Sequence, residues 1–120
     1  MNQFDEVCQQ IINLGGTEYP YPNRWEFPGV RSFFMPRFEG VPDCECNDRP
    51  PNLRLNVYPA TRMGDFTTKP TTTFEVGGEA NGVWLAAQIY SIDIGETVAF
   101  LPKAEIAGKA VWSAFVAAMK

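Results

Sequence analysis

Histidine is absent from the 120 residues. That removes the side chain that titrates nearest neutral pH and the commonest metal ligand. It also excludes serine–histidine and cysteine–histidine catalysis within one chain. Cysteine is scarce: Cys8, Cys44 and Cys46. The N-terminal MNQFDEVCQQ carries acids and no early Lys or Arg, so it does not read as a secretory signal. An odd number of thiols without such a signal predicts reduced cysteines rather than a disulfide framework, and a cytoplasmic location. No apolar run approaches the roughly 18 residues of a membrane-spanning helix, so no membrane partner is expected. Positive charge is thin as well. The net charge is -4, the arginines lie between Arg24 and Arg62, and the lysines are scattered after them. Nothing clusters as a track for a phosphate backbone, which disfavours nucleic acid as a partner.

What is present is the composition of an ordinary globular chain, 45% hydrophobic and 20% charged, of a length that suits one domain over 1–120. Residues 2–14 predict an amphipathic helix, with Phe4, Val7, Cys8, Ile11, Ile12 and Leu14 on one face. Asn2 is placed to cap it, and Gly15 and Gly16 to end it. Residues 15–29 hold Pro20, Pro22 and Pro28 among Tyr19, Tyr21, Trp25 and Phe27. Prolines forbid a helix there, and the aromatics predict an extended cover pressed on the core or an aromatic binding loop. Residues 30–38 read as a strand that Pro36 places at an edge or ends with a bulge.

Residues 53–58 alternate cleanly, Leu53, Leu55 and Val57 against Arg54, Asn56 and Tyr58. Residues 71–76 alternate again. The glycines of GGEANG supply positive-φ positions for a chain reversal. A long strand then runs from Val83 to about Ile94. Thr97 to Leu101 suggests a further short extended piece, and a helix is expected from Pro102, a residue suited to the first helical position. That helix is apolar on two stripes. Ile106, Ala107, Ala110, Val111, Ala114, Ala117 and Ala118 are small enough to lie on a sheet. Gly108, Trp112, Val116 and Met119, with Phe115 at the boundary, form the second stripe.

Hairpin-length connections favour antiparallel pairing, and helices at both ends favour segregation onto one face. The predicted fold is an α+β two-layer sandwich, an antiparallel sheet of four to five strands with the N-terminal and C-terminal helices packed on one side. Leu53, Leu55, Val57, Phe74, Val76, Val83, Leu85 and Ile89 face the helices. Arg54, Asn56, Tyr58, Thr71, Thr73, Glu75, Trp84, Gln88 and Tyr90 face the other way.

Three functional readings follow. The second stripe of the last helix, Trp112, Phe115, Val116 and Met119, would meet another subunit, which implies a homo-oligomer, a dimer by preference, acting as a binding or assembly domain without a cofactor. On that reading Trp112→Glu leaves a folded monomer. The open sheet face, with Tyr58, Glu75, Trp84, Gln88 and Tyr90, would instead suit an organic cation or a hydrophobic ligand, through ring quadrupoles and a carboxylate, or a protein partner. Catalysis is the third. Glu75, Glu79, Asp93, Glu96 and Glu105 include possible acid–base pairs, but solvated turn acids are commoner. Cys44-Glu45-Cys46 offers two soft ligands where a closed zinc site wants four, so no metal is assigned. GGEANG lacks the lysine and the following helix of a phosphate loop.

Overall fold

The computed structural model describes residues 2–20, 29–42 and 49–119. It has the α+β architecture expected, a five-stranded antiparallel sheet with one helix before it and one after it. Helix α1 spans Gln3–Asn13. The Asn2 side chain accepts from the Asp5 backbone N–H at 2.8 Å, which satisfies one of the orphan donors of the first turn. Gly15, at φ +101, lets the chain leave in a left-handed conformation. Val7, Cys8 and Ile11 are buried against the sheet. Ile12 and Leu14 are exposed, so the buried stripe is narrower than the sequence suggests.

The sheet strands are β1 (Thr17–Glu18), β2 (Arg31–Arg37), β3 (Asn52–Tyr58), β6 (Thr71–Ala80) and β7 (Val83–Asp93), in that spatial order. Between β3 and β6 the short β4 (Arg62–Met63) and β5 (Phe66–Thr67) pair with each other as a separate ribbon. Pro36 sits within β2, where the register to β3 shifts between Phe34 and Arg37. Leu53, Leu55, Val57, Phe74 and Val76 are buried under the helices.

The reversal after β6 is tighter than the six-residue GGEANG loop expected. Only Asn81 and Gly82 turn the chain, both at positive φ (53 and 77), and they join two long strands. Gly77 and Gly78 belong to β6 itself. Glycine weakens a strand, so its presence needs a cause. At Gly78 a Cβ would stand 2.8 Å from the Trp112 ring and 2.9 Å from the Pro51 backbone.

Helix α2 spans Thr97–Ala118 and begins five residues earlier than expected, after a 3-10 turn at Ile94–Glu96. Residues 97–101 are helical, not extended, and Pro102 lies inside the helix. Local contacts outweigh the proline. The buried Thr97 hydroxyl donates to the Ile94 carbonyl at 2.8 Å and meets the Thr72 hydroxyl of β6 at 2.7 Å. Phe100 packs on Phe74, and edge-on against Tyr90 at 4.7 Å between centroids.

The orientation of α2 is the reverse of the expected one. Ala104, Gly108, Trp112 and Val116 are buried on the sheet. Ile106 is 72% exposed, and Ala110, Ala114, Ala117 and Ala118 also face outward. Burying an indole removes far more apolar surface from water than burying alanines. Gly108 lets the helix approach, since a Cβ there would come within 2.9 Å of Phe38 and 3.1 Å of Val76. The Trp112 Nε1–H donates to the Pro42 carbonyl at 3.3 Å. Among the described residues, no helix is long and apolar enough to cross a membrane.

This packing changes the expected outcome of mutation. Trp112→Glu should unfold the chain rather than leave a folded monomer. Trp112→Ala should cost ~3–5 kcal/mol, whereas Ile106→Ala should stay within about 0.5 kcal/mol of wild type. Urea unfolding followed by circular dichroism checks the contrast.

Candidate functional site

The face of the sheet opposite the helices is built by period-two alternation on four strands. Cross-strand partners share a face. The register sets Phe34 beside Arg54, Arg54 beside Glu75, and Glu75 beside Gln88. Ser32, Asn56 and Thr73 form the next row.

Arg54 is the centre of this surface. Its guanidinium lies 4.5 Å from the centroid of the Phe34 ring and 4.5 Å from that of Trp84. Arg49 approaches Trp84 from further out, at 5.6 Å. Gly77 makes the stack possible, because a Cβ there would sit 3.0 Å from both Arg54 Nε and the Trp84 ring. The adjacent glycines therefore serve opposite faces, Gly77 seating Trp84 and Gly78 seating Trp112. Burial pushes the Arg54 pKa down from its ordinary value, Glu75 works against that, and Arg49 adds to it. A guanidinium nonetheless keeps its charge at any physiological pH.

A polar row runs beside the stack. The Ser32 hydroxyl donates to Asn56 Oδ1 at 2.6 Å, and Asn56 Nδ2 donates to Glu75 Oε1 at 3.1 Å. Tyr19 packs on Phe34 at 5.3 Å. Together these groups border a groove of about 540 Å³, with Arg49, Arg54 and Glu75 as its charged members. Its chemistry is an aromatic wall with a positive excess, held by a hydrogen-bonded polar floor.

The residues expected to form a site divide across the molecule. Tyr58, Glu75, Trp84 and Gln88 lie on the open face, although Tyr58 is at the far end of β3, opposite Thr71. Tyr90 does not join them. The β6–β7 register shifts between Phe74 and Glu75, so that Ile89 has no counterpart and Tyr90 pairs with Phe74 on the helix side. Trp112 and Val116 are core residues. Phe115 is half-buried, edge-on to Trp112 at 6.4 Å, and Met119 is 37% exposed. Glu75 and Glu79 share the open face of β6, Asp93 and Glu96 lie at the opposite end of the sheet, and Glu105 pairs with Lys109 at 3.5 Å. Cys44, Cys46 and most of the proline–aromatic segment fall outside the described residues. Among the described residues, no three potential metal ligands come together.

Alternation puts Arg54 and Asn56 on this face but gives them no role, and no sequence signal gathers Phe34, Ser32 and Arg49 there. The same alternation brings Arg54 into phase with Tyr58, but the Phe34 partnership depends on the β2–β3 register, which no local pattern encodes. No protein-family model, curated protein or solved structure matches the chain.

Cys8, buried under the sheet, has its thiol pushed up to about 11, mainly by burial, with Arg31 pulling the other way. The folded state therefore keeps the proton longer than the unfolded state does. The neutral thiol contributes its stability in full below pH 9.0, and that contribution is lost as pH rises toward 11. A Cys44→Ser/Cys46→Ser double variant should resist thiol reagents until unfolded. Its stability should fall over this window more steeply than that of the same chain also carrying Cys8→Ala.

Proposed function

We propose that this chain is a non-enzymatic binding domain whose seat is the groove on the open sheet face. The observation that carries the reading is the Phe34–Arg54–Trp84 stack beside the Asn56–Glu75 pair. Binding grooves are concave and hold a few fixed polar groups that set a ligand's orientation, and this groove sets aromatic rings beside fixed arginine, asparagine and glutamate side chains. The chemistry of the groove redirects the expected ligand. The ring faces that would hold an organic cation already hold Arg54. Two guanidiniums outnumber the one carboxylate, so the better fit is a flat organic anion. Its acid group would meet Arg49 and Arg54, and its apolar part would lie on Tyr19 and Phe34. A cytoplasmic location and the lack of a cofactor belong to the same proposal.

Nitrogen-15 NMR titration tests it. Benzoate should shift the Arg54 Nε–H and Trp84 Nε1–H resonances saturably. Tetramethylammonium should not, and Arg54→Met should abolish the response. A response to tetramethylammonium alone would restore the organic-cation reading, and silence toward both would remove the groove as a small-molecule seat.

Self-association as a homodimer is the second reading. It no longer rests on Trp112. The supporting observation is the apolar surface left outside in the C-terminal half, where Ile106 is 72%, Val83 47% and Trp84 39% exposed. Sedimentation equilibrium should give about twice the chain mass of 13.4 kDa, and a mass of one chain throughout the accessible concentration range would contradict it.

A further inference from the structure

Strand β7 ends the sheet, and among the described residues no strand lies on its outer side. It is also the longest strand, at 11 residues. A free edge exposes a row of N–H and C=O groups that can template another strand, and proteins guard such edges with shortness, charge, proline or bulges. The other edge of this sheet is guarded in that way. β1 has two residues, Glu18 carries a charge that pairs with Arg31, and Pro36 and a register shift interrupt β2 behind it. From Val83 to Ile92, β7 contains no charged residue and no proline. Its one irregularity is the bulge at Ile89, which leaves Val83–Gln88 as an uninterrupted edge. Exposed apolar side chains line that stretch on both faces, Val83 on the helix side and Trp84 and Ala86 on the open side.

We infer that two copies of this chain pair edge to edge through β7, antiparallel, so that their sheets become continuous. The inference rests on the self-association reading and names its surface. An extended strand is the occupant such an edge accepts, and β7, uncharged from Val83 to Ile92, is itself such a strand. A two-fold axis presents identical strands to each other antiparallel, so one edge serves both partners without any further complementary surface. With the axis at Ala86, that alanine faces its own counterpart and Trp84 of each copy faces Gln88 of the other. Small side chains then sit at the axis, and the Trp84 indoles, turned inward over Gly77, leave the seam clear. Each chain carries a net charge of -4, yet no like charges meet along this seam, where opposed like charges would be destabilising. Beyond the seam the Ile89 bulge bends the strand away, which limits the pairing to the regular stretch.

The test is light scattering and sedimentation of the full chain as wild type, Ala86→Lys and Ile106→Glu. Ala86 is exposed, so the lysine should leave the fold intact while placing like charges opposite each other at the axis. The wild type should be a dimer, Ala86→Lys should weaken it by on the order of a hundredfold, and Ile106→Glu should leave it unchanged. A dimer that survives Ala86→Lys, or dissociates with Ile106→Glu instead, overturns the edge pairing while self-association stands. A monomeric wild type overturns both. Amide hydrogen exchange on the unaltered chain decides independently of any folding defect. The outer amides of Val83–Gln88 should gain protection as concentration rises, and protection independent of concentration would count against the seam.

Discussion

The indole of Trp112 against Gly78 is the contact from which the arrangement of the molecule follows. A tryptophan brings the largest apolar surface of any side chain to α2, and it needs a depression in the sheet to receive it. Gly78 supplies the depression, and Gly108, one helical turn before Trp112, lets the helix axis come close enough. Once the indole is seated, the alanine-rich stripe of α2 is turned outward, and Phe100 is carried onto Phe74 and Tyr90. The early start of the helix at Thr97 belongs to the same docking, because the Thr97–Thr72 hydroxyl pair ties the first turn to β6.

The neighbouring glycine transmits this economy of space to the other face. Successive residues of a strand point to opposite sides, so Gly77 and Gly78 open one vacancy above the sheet and one below. Trp84 takes the upper one and clamps Arg54 against Phe34. The groove is therefore a consequence of side-chain omission as much as of side-chain chemistry. The β7 bulge sharpens the result by moving Tyr90 from the open face to the helix side of the sheet, which leaves arginine and carboxylate, rather than a ring of aromatics, as the polar content of the site.

Much of the fold was legible because it is written in short periods. The stripe Val7, Cys8, Ile11 has helical spacing, and Leu53, Leu55 and Val57 alternate with Arg54, Asn56 and Tyr58. The face of α2 was illegible for a physical reason. Apolar residues surround nearly the whole helix, so periodicity cannot choose a side, and the choice is made by the fit of Trp112 to a glycine thirty-four positions earlier in the chain. The side of Tyr90 is not legible in the sequence because a bulge is a property of two strands together and not of the alternation in one. The Gly77-Gly78 pair suggests a loop in the sequence because glycine ordinarily punctuates a strand. Its meaning appears only when the two indoles that fill its vacancies are in place. The candidate site was half visible: Glu75 and Trp84 stood out by type, while Arg54 looked like an ordinary outward-facing charge.

The most direct measurement of this account is a nuclear Overhauser spectrum that asks which stripe of α2 touches the sheet. Cross-peaks between the Trp112 indole protons and the α-protons of Gly78, with none from the Ile106 or Ala110 methyls to Val76, are the predicted result. Contacts from Ile106 and Ala110 to the strand residues, with the Trp112 indole exchanging freely with solvent, would contradict it.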